Sequence, residues 1–234
     1  DEGERRLRYA LDELCRRASD AVRAGYSILI LSDRYLDAFR APIPSLLAVS
    51  AVHHHLILEG TRARVGIIVE SGEPREVHHF CLLLGYGATA VNPYVAFETL
   101  TDMVRLKMIP EDIAEDKAHA NYIRAVNKGI LKTMSKMGIS TIRSYNGAQI
   151  FEALGIHEDV IKSFFPGTPS RIGGVGLDVV AEEAHRRHQE AFPKTFAAVP
   201  DLMASGDYQW LRDGERHMLT PENFAFAKQA GATH

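Results

Sequence analysis

The sequence predicts an α/β fold, a parallel sheet with alternating helices that resembles a rudimentary or partial TIM-type barrel. Three observations carry this. Apolar runs at 26–31, 65–69 and 88–91 read as short strands, the first nearly continuous and so covered on both faces, the second buried. Each run is followed by a segment whose apolar residues repeat at helical spacing. Strands joined through helices must run mostly parallel, with right-handed crossovers. A β-branched run from Ile139 to Ile142 brings the strand count to four. That is too few for a full eight-stranded barrel, so a partial barrel and an open parallel sheet both fit.

Residues 4–24 are the first predicted helix. Leu7, Leu11, Leu14, Ala18 and Val22 form its apolar stripe, and Gly25 stops it. The first strand follows, and Ser32, Asp33 and Arg34 leave its C-terminal end. Pro42 and Pro44 lead into a helix from Ser45 to Glu59, stopped by Gly60. After the strand Val65 to Val69, Glu70, Ser71 and Gly72 turn the chain into a helix from Pro74 to Leu84. Gly85-Tyr86-Gly87 ends that helix, and Ala88 to Val91 is the third strand. Asn92 and Pro93 close it and open a helix to Lys107, with Pro93 near the first turn where it is tolerated.

Glu115 to Met137 is the longest helix. Ile123, Val126, Ile130, Met134 and Met137 make its expected core stripe, while Lys128, Lys132 and Lys136, four apart, line another face. Gly138 breaks the helix, and Ser144-Tyr145-Asn146-Gly147 reads as a turn before a helix from Gly147 to Leu154. From Phe164 to Gly176 the chain is rich in breakers and reads as a loop. Leu177 to Glu190 is one more helix. The expected division is a central α/β domain at 1–192 and a connecting arm at 193–234. The arm carries Pro193, Pro200, Tyr208, Trp210 and a short helix from Pro221 to Gln229.

Composition narrows the function. A net charge of −3 argues against general nucleic-acid binding. No run approaches the roughly 18 apolar residues of a membrane span. Cys15 and Cys81 sit in apolar helical patterns and read as free thiols, which fits a reducing, cytoplasm-like compartment. The chain opens on Asp1 rather than Met and is expected to be a piece of something longer.

Motifs for chemistry are sparse. His53, His54 and His55 are consecutive on a helix, so they point about 100° apart and cannot converge on one metal ion. His78 and His79 fail likewise. His185 and His188 share a face, but no Glu or Cys pair completes a shell. Gly173-Gly174-Val175-Gly176 precedes a helix without the spacing of a phosphate-binding loop, and reads as a hinge. Asp33, Glu70 and Asn92 each follow a strand at its C-terminal end, where α/β active sites gather. They form a candidate vestigial rim, although Asp and Asn are also routine turn and cap residues. Lys128, Lys132, Lys136, Ser144, Tyr145 and Asn146 are candidate interface residues, expected to face solvent or a neighbouring domain. No residue is assigned as catalytic, cofactor-binding or metal-binding.

Several blocks carry a family resemblance: ILILSDR at Ile28 to Arg34, SLLAVSAVHHHLILEGTR at Ser45 to Arg62, and the run from Ile67 to Thr99. KGILKTMSKMGISTIRSYNGAQIFEALGI from Lys128, and the segments Tyr208 to Arg212 and Gly214 to His217, add to it. The chain resembles the central domain of the glutamate synthase large subunit. The resemblance implies an α/β domain regarded as a reduced relative of an FMN-binding barrel, set between an amidotransferase domain and the FMN domain. It implies a cytoplasmic protein, or a plastid one in a plant. The parent enzyme would carry FMN and an iron–sulfur cluster and make glutamate from glutamine and 2-oxoglutarate. This segment would supply none of the reacting groups, and would act as a scaffold lining part of an ammonia tunnel. Two other readings stay open: an independent flavin- or phosphate-binding enzyme using the rim and the lysine stripe, and a free-standing interaction module.

Overall fold

A computed structural model describes residues 2–193, 210–212 and 214–231. The chain divides between Phe192 and Pro193 into two compact units. In the first, α1 (Glu2–Arg23) precedes β1 (Ile28–Ser32), α2 (Ser45–Leu58), β2 (Gly66–Glu70), α3 (Val77–Gly85), β3 (Ala90–Asn92) and α4 (Tyr94–Arg105). β1, β2 and β3 form one parallel sheet in that order, with Leu29 opposite Ile67, Val69 opposite Val91 and Glu70 opposite Asn92. Helical crossovers join neighbouring strands, as the alternation of patterns predicts.

Register separates the sheet's two faces, because side chains paired across strands share a face and alternate along them. Leu29, Ile67 and Val69 pack with Val22 of α1 and with Val49, Val52 and Leu56 of α2, and these residues are nearly all removed from water. On the other face, Ile28 and Ile30 are 56% and 61% exposed. The expectation that the first strand is covered on both faces is therefore corrected. β1 is an edge strand, and no described element lies over Ile28 and Ile30.

α5 (Glu115–Lys136) lies against α3 and α4. Its buried residues are Ala118, Val126, Ile130 and Met134, spaced by four or eight, and the last three sit on Phe80 and Cys81 of α3. Ile123 and Met137, expected in the same stripe, are exposed instead. Met137 is the C-cap, beyond the last residue of the helix, and Ile123 lies where no described residue packs over it fully. Gly129 lets the helices approach: a Cβ there would lie 2.4 Å from Val77 of α3.

Downstream of α5 the expected elements change. Residues 139–141 are an irregular link rather than a strand, followed by the one-turn α6 (Ile142–Tyr145). Thr141 starts that turn by accepting the backbone N–H of Ser144 at 3.3 Å, so a local cap replaces strand pairing. No helix resumes at Gly147. Gly147 and Gly155 both adopt positive φ (79° and 73°), which ends helical propagation and admits β4 (Ala153–Ile156). After α7 (Glu158–Phe164), the breaker-rich stretch contains β5 (Ser170–Val175), parallel to β4. The Gly173-Gly174-Val175-Gly176 run is thus strand, with Gly176 capping α8 (Leu177–Ala191), rather than a loop-to-helix hinge. Gly174 is required there: a Cβ would stand 2.3 Å from the carbonyl oxygen of Gly155. A second core joins Leu11 of α1 and Leu47 of α2 to Val160, Ile161 and Phe164 of α7 and Leu177 of α8.

In the second unit the described part contains α9 (Pro221–Gly231), whose Phe224 and Phe226 are exposed. The Thr220 hydroxyl accepts the backbone N–H of Asn223 at its start. Tyr208 lies outside the described residues.

Candidate functional site

The C-terminal ends of β1, β2 and β3 bring Asp33, Glu70 and Asn92 to one rim, as strand-end positions of a parallel sheet should. Glu70 is its hub. One carboxylate oxygen accepts from the Ser32 hydroxyl at 2.7 Å. The other accepts from the Asn92 amide at 3.2 Å and from Arg34 Nη1 at 3.3 Å. The Ser32 hydroxyl, followed by Arg34, holds the Glu70 carboxyl below the usual carboxylate range, so it is ionised at neutral pH. Arg34 continues to Glu98 of α4 at 3.2 Å, and its guanidinium lies 4.8 Å from the centre of the Tyr94 ring.

Asp33 points the other way. Its carboxylate accepts from the Ser71 hydroxyl at 2.5 Å and from the backbone N–H of Gly72 at 3.1 and 3.2 Å. Tyr94 joins it: burial, then the hydrogen bond to Asp33, pushes the tyrosine up to about 12. The backbone closes the rim as well, with Asp33 N–H donating to Glu70 O and Ser71 N–H to Asn92 O, both at 3.1 Å. Glu70 and Asp33 thus spend both carboxylate oxygens, and Asn92 its side-chain amide N–H, on neighbouring residues of the chain. Sequence reasoning found these three but missed Ser32, Arg34 and Tyr94. The signal was present: Ser32 and Arg34 flank Asp33, and Tyr94 stands two residues past Asn92 at the third strand end.

The candidate interface residues split. Lys128, Lys132 and Lys136 lie exposed on α5, and Ser144 is exposed too. Tyr145 is 0% exposed, packed on Cys81, Phe80 and Met134, with its ring edge-on to Phe151. Asn146 donates to the carbonyls of Leu84 and Ala88 at 2.9 and 3.3 Å, and Gly147 N–H donates to Gly85 O at 2.8 Å. The expectation that this turn faces solvent is corrected for Tyr145 and Asn146. Asn146 bridges the carbonyls of Leu84, in the last turn of α3, and of Ala88, just beyond that helix, and Tyr145 is the buried anchor beside it.

The histidine run resolves into three separate jobs. His53 Nδ1 accepts from Arg62 Nε at 2.8 Å, His54 bonds Ser50 one turn back, and His55 meets Ser19 of α1 at 2.8 Å. Burial, then the charge of Arg62, pushes His53 down to about 4, so it is a neutral acceptor. Arg62 also donates to Val65 O at 2.6 Å and Gly87 O at 2.8 Å. This clamp between α2, β2 and the turn before β3 was not foreseen. His188 bonds the carbonyl of Asp37 at 2.7 Å, while His185 bonds Gln189. Among the described residues, no three His, Cys, Asp or Glu side chains gather as a metal site. Cys15 and Cys81 are both free thiols, and burial pushes Cys15 up to about 11.

A half-open parallel α/β unit of the partial-barrel class, its strand-end polar groups satisfied from within, is what the geometry defines. Comparison with known proteins assigns the family: the chain belongs to the glutamate synthase central domain family, whose model matches residues 2–157. It is 48% identical over 216 residues to the glutamate synthase [NADPH] large chain of Bacillus subtilis, covering 92% of this chain and 14% of that protein. It is 45% identical to the glutamate synthase [NADH] of Schizosaccharomyces pombe, covering 94% of this chain and 10% of that protein. Against the ferredoxin-dependent glutamate synthase of Pyropia yezoensis it is 41% identical, covering 95% and 15%. The chain thus spans only a small part of the length of these relatives.

Proposed function

We propose that this chain is the central framework domain of a glutamate synthase large subunit. In this reading it holds an amidotransferase domain and an FMN domain at a fixed separation and lines part of the path that carries ammonia between them. The parent enzyme would use FMN and an iron–sulfur cluster to make glutamate from glutamine and 2-oxoglutarate, with the flavin and cluster held by other domains. The observation that supports a framework role most directly is the rim. Asp33, Glu70 and Asn92 stand where α/β enzymes place reacting groups, yet each is bonded to Ser71, Gly72, Ser32, Arg34 or a backbone group of the same sheet. A group already paired in this way gains little from a ligand, which would have to displace a bond of equal quality.

No helix among the described residues is long and apolar enough to cross a membrane. The proposed compartment is that of the parent enzyme: cytoplasm, or the plastid in a plant, where a relative in Arabidopsis thaliana is named chloroplastic/mitochondrial.

The test is titration calorimetry of the purified chain with FMN, glutamine and 2-oxoglutarate, alongside the flavin absorbance of the preparation. The framework reading expects no heat of binding and a colourless protein. Stoichiometric FMN retained through purification would overturn it and favour a flavin-binding enzyme on the open sheet.

A further inference from the structure

A groove of about 540 Å³ runs beside α5, between that helix and the edge of β3. Its floor is apolar, built from Phe80, Val91, Phe97, Val126, Ile130 and Met134. Its outer lip is formed by Ile123, Asn127 and Leu131 of α5. Leu131 is 64% exposed, although it projects from a helix whose inner face is well buried. Ala90 in the groove wall also belongs, by register, to the uncovered face of the sheet that carries Ile30 and Ile68.

Charge says what would lie there. Just outside the lip, Arg124 and Lys128 flank Ile123, Asn127 and Leu131. Lys117, Lys132 and Lys136 continue the basic side of the same helix. α5 carries acidic groups only in its first turn, at Glu115 and Asp116. No ion pair forms at any of these five basic residues among the described residues, whereas four of the six arginines of α1 (Arg6, Arg8, Arg16 and Arg23) pair with carboxylates. The helix dipole accounts for Lys136 in the last turn, but not for Arg124 or Lys128 in the middle. An apolar trough with an unpaired basic lip is complementary to an apolar segment that carries carboxylates along one side.

We infer that this groove seats an acidic amphipathic segment from another domain of the same large subunit. The inference rests on the framework reading. A tethered segment needs only modest intrinsic affinity, because the shared chain holds it at high effective concentration. Leu131 and Ile123 are the apolar contacts, and Arg124, Lys128 and Lys132 meet the carboxylates.

The experiment compares the 234-residue chain with the full-length subunit. Lysines are labelled with an amine-reactive acetylating reagent, and a carbodiimide couples adjacent amines and carboxylates directly. Both readouts are mapped by mass spectrometry. The expected result is that labelling of Lys128 and Lys132 falls about tenfold in the full-length subunit, as for charges at an occupied interface rim. Carbodiimide should join one of them to an Asp or Glu outside this segment. Amide exchange at Ile142, which lines the groove, should be slower in the full-length subunit than in the isolated chain, and replacing Lys128→Glu together with Leu131→Asp, both at exposed positions, should return it to the isolated-chain rate. Equal lysine labelling in both forms would overturn the inference. So would coupling only to a second copy of this segment, or protection without any carboxylate coupling. The framework reading fails separately: it requires slower exchange somewhere on this domain in the full-length subunit. Protection at β1 with a fully reactive α5 lip would leave the framework standing and remove only the groove's occupant.

Discussion

The strand-end rim and the outer face of α5 are both polar surfaces singled out by spacing alone, and they resolve in opposite ways. At the rim, Glu70 takes three donors and Asp33 takes the Ser71 hydroxyl and the Gly72 N–H. On α5, Arg124, Lys128 and Lys132 stand exposed, and none forms an ion pair among the described residues. Position at the end of a strand guarantees that polar groups meet, because parallel strands end together. Position on a helix face guarantees only that like residues line up. The first arrangement closes on itself. The second remains available to whatever approaches.

The sharpest way to break this contrast is at the anchor under α5. Tyr145→Ala removes a 0% exposed ring from the cluster of Phe80, Cys81 and Met134. By analogy with buried aromatic truncations it should cost about 4 kcal/mol, read as a lowered denaturant midpoint. A loss below about 1 kcal/mol, the scale of ordinary surface changes, would mean that the α5–α6 junction is not part of the framework. Next comes Asp33→Ala, which strands the Ser71 hydroxyl and the Gly72 N–H; about 2 kcal/mol is expected by chemical denaturation. A rim that tolerates this change without loss would not be internally paired in solution.

An effect of similar size comes from pH. His53 titrates near 4 in the folded chain against 6.5 for a free imidazole, so between those values the unfolded chain binds the proton and the folded chain does not. Stability from this group is complete above pH 6.5, falls as pH drops toward 4 and levels off below it. The loss should total about 2 kcal/mol. His53→Gln should flatten stability across that window, and an unchanged slope would remove His53 as its source. The smallest effect belongs to the lip. Lys128→Ala with Lys132→Ala should shift the stability of the isolated chain by no more than about 0.5 kcal/mol, since both lysines are exposed and neither forms an ion pair among the described residues. A larger destabilisation would place the lysines inside the framework after all.

Much of the first half of the domain is legible in the sequence because local signals and tertiary structure agree there. The stripe Leu11, Ala18 and Val22 is buried, and Gly25 and Gly60 both take positive φ where the first two helices end. The three rim residues follow from the alternation of strand and helix. What spacing could not show was solvent. Ile28 and Ile30 read as buried because apolar runs do not reveal whether a second layer exists to cover them. After Gly138 the local signals mislead. Ile139 to Ile142 has strand propensity, but Thr141 captures the Ser144 N–H and a helical turn forms instead. β4 and β5 contain glycines that depress strand propensity, two of which answer to three-dimensional structure: Gly174 packs against the Gly155 backbone, and Gly155 takes positive φ. Tyr145 and Asn146 look like turn residues, yet their partners, Leu84 and Ala88 among them, lie some 60 positions away. No local window contains that contact.

That second sheet has a kinetic consequence. Two strands alone are marginal in water, and β4 and β5 pair with register shifts and a largely exposed β5. The match to the family ends at residue 157, just after β4, so the strand that completes this pair comes from beyond it. Amide exchange should therefore report two clocks: slow opening for β1 to β3, backed by the central core, and fast opening for β4 and β5, whose amides follow the docking of α7 and α8. The domain's most readily released segment would then be its last β–α unit, the part that leads onward in the chain.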